Sequence, residues 1–98
     1  MSTILNEVVD GKCTIRFADN LMFEYSLEFR NAYFHTKNIS EYILDFSTIR
    51  YLDSRGIGMI LQMRSDVRDD CPIAITNTSE EIRDKLNELK LGKIFKLT

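Results

Sequence analysis

The chain has 98 residues, 44% apolar and 29% charged, which is the balance of one soluble globular domain spanning residues 1–98. One proline and four glycines exclude collagen-like and low-complexity readings, and no apolar run approaches the ~20 residues of a membrane helix, so a cytoplasmic protein without membrane insertion is expected. Thirteen basic against fifteen acidic side chains, net charge −2, argue against nucleic acid as the main partner.

In chain order, residues 4–9 and 13–17 are short and rich in β-branched types, and Asp10-Gly11 between them predicts a hairpin. From about Leu21 to His35 the apolar spacing predicts a helix, with Met22, Tyr25, Phe29, Ala32 and Tyr33 on one stripe. A second stripe, Phe23, Leu27 and Phe34, lies nearly opposite. Packing on a neighbouring helix is favoured for it over a partner or dimer surface. His35 reads as a helix-end residue rather than a catalytic base.

Residues 41–52 form an apolar run whose Tyr42-Ile43-Leu44 core resembles a strand covered on both faces. From Ser54 to about Val67 the period becomes helical, with Ile57, Ile60, Leu61 and Val67 on one side. Residues 72–76 read as a further strand opened by Pro72. Thr78-x-x-Glu81 reads as a capping box opening a last helix faced by Ile82, Leu86 and Leu89, after which Gly92 stops the helix and Ile94-Phe95 folds back on the core. The order β-β-α-β-α-β-α implies an α/β fold: a single mixed β-sheet with amphipathic helices packed on one face.

The lone His35 and the isolated thiols Cys13 and Cys71 argue against a metal site, a zinc pair or a disulfide framework, and nothing marks a cofactor. The segment with most chemistry is 51–59, where a strand hands over to a helix. Ser54 reads there as the N-cap, and Gly56 and Gly58 leave backbone that a partner can approach closely. A phosphoryl group on Ser54 would sit at the positive end of the helix dipole with Arg55 beside it, although Ser-x-Gly at a helix start is also ordinary capping chemistry. Met59 and Met63, one turn apart and opposite the aliphatic stripe, suit either an adaptable contact surface or the edge of a neighbouring helix. An enzyme is not expected: a serine nucleophile needs a positioned base, Gly-x-Ser-x-Gly is absent, and Gly56-Ile57-Gly58 is too short for a dinucleotide fingerprint.

The run LDFSTIRYLDSRGIGMIL resembles the central signature of the STAS domain of bacterial anti-sigma-factor antagonists, in which Asp-Ser-(Ser or Thr)-Gly-(Leu or Ile)-Gly opens the second helix. NELKLGKIFKLT resembles the family's C-terminal pattern, and the predicted element order agrees from Ile4 to Phe95. The resemblance implies that Ser54 is the phosphoacceptor, with Asp53 at the aspartate position before it. It further implies a signalling module acting in transcription regulation by partner switching. An anti-sigma-factor-like serine kinase would be bound while Ser54 is unphosphorylated and released afterwards, and a PP2C-type phosphatase would reset the switch. The residues expected to meet the partner are Asp53, Arg55, Gly56, Gly58, Met59 and Met63. Two positions depart from the pattern: Arg55 replaces a small hydroxyl residue, and Met22 stands where an acid is usual, with Asp19 nearby. A STAS accessory subunit of a membrane lipid-transporter complex is the alternative function.

Overall fold

The computed structural model describes residues 3–98. Strands β1 (Ile4–Val9) and β2 (Lys12–Phe17) pair antiparallel around Asp10 and Gly11, whose φ values of 50° and 80° make the type I′ turn that Asp-Gly favours. A 3-10 turn (Phe23–Tyr25) then leads into α1 (Ser26–Phe34), β3 (Glu41–Asp45), α2 (Ser54–Asp66), β4 (Ile73–Thr76) and α3 (Glu80–Glu88). After a 3-10 turn over Leu91–Lys93 the chain adds β5 (Lys96–Leu97), a strand of two residues that is too short to show alternation in sequence. The expected helix from Leu21 thus begins as a 3-10 turn at Phe23, and the order gains a final strand.

The strands lie in the order β1-β2-β3-β4-β5, antiparallel only between β1 and β2. Each crossover steps one strand in the same direction. Right-handed connections repeated in one direction leave all helices on one face. Between that face and the helices sit Cys13, Ile15, Phe17, Leu44, Phe46, Ile73 and Ile75 from the sheet side, meeting Phe29, Ile57, Ile60, Met63, Ile82 and Leu86. Phe17 packs against both Phe29 and Phe46 with ring centroids 5.8 Å apart. Cys13 and Cys71 are buried and unlinked, and burial pushes both thiols up from their ordinary pKa.

The opposite face of the sheet is open, which corrects the expectation for β3. Its burial alternates, with Tyr42 and Leu44 buried and Glu41, Ile43 and Asp45 partly exposed. The open face carries ion pairs instead of helices: Arg16 reaches Glu7 (3.2 Å) and Asp45 (3.7 Å), while Glu41 lies between Lys12 (3.9 Å) and Lys96 (3.2 Å). Such exposed pairs add little stability, but they keep this face in water.

Two helix starts differ from the sequence reading by one residue. In α3 the cap is Ser79, whose Oγ accepts from the Ile82 N–H (3.3 Å), rather than Thr78. The Thr-Ser tandem offers two capping hydroxyls, and the entry geometry selects the second. In α2 the cap is Asp53 rather than Ser54. The α2 stripe is also rotated. Gly56, Ile57, Met59, Ile60 and Met63 are buried and Leu61 is exposed, so the two methionines belong to the core.

Of the second stripe, Leu27 (69% exposed) and Phe34 lie outside on α1, while Phe23 (58%) falls in the preceding 3-10 turn and meets only the rim of α2. A five-stranded sheet covered by three helices leaves nothing beyond α1 to pack there.

At their C-terminal ends α1 and α2 are tied together by the Tyr33 hydroxyl, which donates to Asp66 Oδ2 (2.7 Å), and Gln62 Nε2 donates to the other carboxylate oxygen (3.0 Å). The Tyr33 bond above all, then the Gln62 bond, holds the Asp66 carboxyl below its ordinary range. A depressed carboxyl contributes stability at neutral pH that is lost as pH falls through its folded-state pKa. Tyr33→Phe is therefore expected to cost about 0.5–1 kcal/mol at neutral pH, and the gap should narrow as acid protonates Asp66. Urea unfolding of both proteins across the acid limb measures this. A gap independent of pH would show that the hydroxyl acts by packing alone.

Candidate functional site

The site grows from the connection between β3 and α2, which three other elements hold in place. At the end of β3 the Asp45 carboxylate accepts from the Ser47 N–H and from Asn77 Nδ2, both at 3.0 Å. Asn20, in the β2–α1 connection, places Oδ1 where the N–H groups of Arg50 (2.7 Å) and Tyr51 (3.0 Å) both donate. From α3, Lys85 Nζ donates to the Leu52 carbonyl (2.7 Å). Leu52 itself is buried, so the connection is anchored by packing as well as by polar bonds.

Asp53 follows in extended conformation, and its Oδ1 accepts the Gly56 N–H at 2.9 Å while its carbonyl starts the helix with the Ile57 N–H at 3.0 Å. A carboxylate at this end satisfies an orphan donor and meets the positive end of the helix dipole, which is why it outcompetes the serine as cap. Ser54 becomes the first helical residue. It is exposed, and among the described residues its hydroxyl has no hydrogen-bond partner. The backbone N–H groups of the first turn lie beneath it.

Around Ser54 the α2 period selects what a docking surface would meet. Gly58, Leu61 and Ser65 follow Ser54 along the exposed side at helical spacing, beside Arg55 and Gln62. Nothing lies within 4 Å of where a Gly58 side chain would begin. Gly56 is the opposite case: a Cβ there would stand 2.7 Å from Leu52 Cδ1 and 3.0 Å from the Leu21 carbonyl oxygen. Its lack of a side chain serves close packing of α2 on its own domain. Gly56, Met59 and Met63 thus face inward, and only Asp53, Arg55 and Gly58 of the expected partner contacts stand beside Ser54 at the surface.

Three surface residues escaped the sequence reading. The Arg55 guanidinium lies over the Phe23 ring, 5.4 Å from its centroid, so Phe23 from another element joins the site. Tyr51 is exposed just before it, and Leu61 lies two turns along α2. The sequence reading put Leu61 on the inner stripe, although its spacing of seven residues from Ser54 sets it on the same side as an outward-facing serine. Asp19, near the departed acid position, spends its Oδ1 on the neighbouring Asn20 N–H (2.7 Å) and orders the loop. His35 follows α1 at its C-terminal end, where Tyr33 meets Asp66 at the far end of α2. A 13-residue helix is about 20 Å long, so His35 and Ser54 stand at opposite ends of the molecule and form no nucleophile–base pair. Among the described residues no helix is long and apolar enough to cross a membrane.

A STAS-domain containing protein of Pseudomonas aeruginosa strain UCBPP-PA14 is 29% identical over 92 residues, covering 91% of each chain. Among solved structures, a Thermotoga maritima protein described as a candidate anti-sigma factor antagonist superposes with a TM-score of 0.82 at 18% identity, covering 96% of this chain and 84% of its own. The anti-sigma factor antagonist SpoIIAA superposes at 0.66 and 22% identity in both forms. Its unphosphorylated form covers 86% of this chain and 81% of that one, and its phosphorylated form, from Bacillus, covers 97% and 90%. These likenesses establish a shared fold, a mixed five-stranded sheet with three helices. The STAS domain model matches residues 3–98, essentially every residue from the first strand to the last, and the chain is a member of the STAS domain family.

Proposed function

We propose that this domain is a phosphorylation-switched protein-interaction module of the anti-sigma-factor-antagonist kind. It binds a serine kinase that doubles as the sequestered regulator while Ser54 is free, and lets go once Ser54 is phosphorylated. A PP2C-type phosphatase returns it to the binding state. The observation that carries this reading is the Ser54 hydroxyl, exposed and without a hydrogen-bond partner among the described residues, at the first position of a helix whose entry is pinned by Asn20, Asp45 and Lys85. A kinase needs such a reachable acceptor, and a switch needs it on a rigid mount.

The physics is local. Phosphorylation adds about −1.5 to −2 charges at the centre of a surface made by Phe23, Tyr51, Arg55, Gly58 and Leu61. Asp53 already places a carboxylate beside the phosphate, so a partner with apolar or acidic groups there meets desolvation and repulsion together. Each ~1.4 kcal/mol of that penalty is tenfold in affinity. The helix N-terminus and Arg55 accommodate the anion, and the fold stays as it is.

The test is a host pull-down with wild type, Ser54→Ala and Ser54→Asp, together with intact mass and peptide mapping of the protein purified from its host. Alanine should retain a kinase-type partner and aspartate should lose it by tenfold or more. Equal recovery by both variants, or co-purification with a transporter ATPase insensitive to both, would overturn the proposal.

A further inference from the structure

We propose that the groove between α1 and α2 receives an extended segment of the partner in which two acidic side chains flank an apolar one. This partner is the one read above as docking beside Ser54, so its chemistry rests on that reading. The groove holds about 230 Å³, with Leu27, Phe29 and Arg30 on the α1 side and Met59 and Gln62 on the α2 side. Its lining is mostly apolar and, among the described residues, contains no acid. The Tyr33–Asp66 hydrogen bond ties the two helices together at one end. Towards the other, Arg55 precedes Met59 by one turn on the same side of α2 and stands next to Ser54.

Two cations flank this groove without a charged partner. The Arg55 guanidinium lies over the Phe23 ring, 5.4 Å from its centroid, and that of Arg30 over Phe34 at 4.7 Å. Neither arginine forms an ion pair or a side-chain hydrogen bond among the described residues. A guanidinium resting on a ring has lost part of its freedom in advance, while its N–H donors remain open to a carboxylate. The acids on these two helices are engaged elsewhere. Glu28 accepts from the Thr3 hydroxyl and from the N–H groups of Thr3 and Ile4, and Asp66 accepts from Tyr33 and Gln62. In a chain of net charge −2, two uncompensated arginines along one groove select an acidic segment and disfavour a basic one.

The spacing favours an extended occupant. Phe23 and Phe34 bracket α1, so at ~1.5 Å per residue the two guanidiniums stand roughly 10–16 Å apart. An extended chain rises ~3.3 Å per residue and turns alternate side chains to one face. Acids at its first and fifth positions are then ~13 Å apart, and the third side chain faces Leu27 and Met59 between them. An apolar side chain there covers surface of Leu27 that the domain itself leaves in water. Arg55 joins this groove to the modification site. A phosphoryl group on Ser54 competes with the partner's first acid for Arg55 and repels it, so recognition and release share one residue.

The probe is the peptide Ac-Glu-Ala-Leu-Ala-Glu-NH2, titrated into the 15N-labelled domain and followed by amide chemical shifts. Saturable shifts are expected over residues 23–34 and 55–66, with a dissociation constant in the millimolar range and saturation below ~20 mM. Replacing both glutamates of the peptide by glutamine should weaken binding at least tenfold, and replacing them by lysine should abolish it. On the protein side, the double variant Arg30→Gln/Arg55→Gln should lose at least tenfold, whereas Arg83→Gln, an exposed arginine on α3, should bind as wild type does. The peptide series needs no variant, so it decides even if the double variant fails to fold. No saturable shift, equal affinity for the glutamine or lysine peptide, or an effect of Arg83→Gln equal to that of the double variant would overturn the proposal. The titration involves neither kinase nor phosphate. Its failure leaves the Ser54 switch standing, and a Ser54 never phosphorylated in the host leaves peptide binding intact.

Discussion

Met63→Glu is expected to unfold the domain, and Met63→Ala to lower its stability by about 3 kcal/mol. The Met63 side chain is completely buried, on the inner side of α2 in the same core as Ile60 and Phe29. Truncation removes transfer free energy and leaves a cavity. A carboxylate there would either shed its charge or be desolvated without a partner, a cost of several kcal/mol. For a domain of this size ~3 kcal/mol corresponds to a fall in Tm of roughly 10–25 °C. Calorimetry of Met63→Ala against Leu61→Ala, two residues away on the exposed side, isolates burial from helix propensity. A Met63→Glu protein that folds with a near wild-type Tm would return Met63 to the docking surface.

The second large effect separates two glycines that look alike in sequence. Gly56→Ala should destabilise by about 1–3 kcal/mol, because the new methyl group is driven against the Leu21 carbonyl and Leu52. Leu52 has little room to move, since it is buried and its carbonyl is held by Lys85. Gly58→Ala should do the reverse. It sits inside a helix with open space around it, so alanine's better helix propensity should stabilise by about 0.5–1 kcal/mol. Denaturant midpoints of the two single variants measure the contrast. Equal midpoints, or a stabilised Gly56→Ala, would mean that the close approach of α2 to Leu21 relaxes freely. Gly58→Ala is informative for function as well. A methyl group there leaves the fold intact and stands one turn from Ser54, so any loss of partner binding reports the contact itself.

Local chemistry carried the reading of the hairpin, the first four strands and the three helices. Asp-Gly favours a turn with positive φ, alternation in residues 13–17 favours a half-buried strand, and a capping side chain just before Arg-Gly favours a helix start. These are decisions made within a few residues, and tertiary contacts had little to overrule. The resemblance of residues 44–61 to the STAS signature added the proposed role of Ser54 as phosphoacceptor, which spacing alone leaves open between capping and modification.

What the sequence could not decide is direction. In α2, Leu61 and Met63 are equally apolar, and two overlapping stripes fit the helical period. The angle at which Asp53 and Leu52 launch the helix chooses Met63 for the core and leaves Leu61 outside. The same holds for Leu27 and Phe34, whose exposure follows from α1 having no helix beyond it, and for Asp53, which takes the cap from Ser54 and so leaves the hydroxyl without a partner among the described residues. Periodicity and capping preference are properties of short segments and can be read along the chain. Which face turns inward depends on how segments far apart in sequence press against each other, and that is decided only when the sheet and its helices have come together.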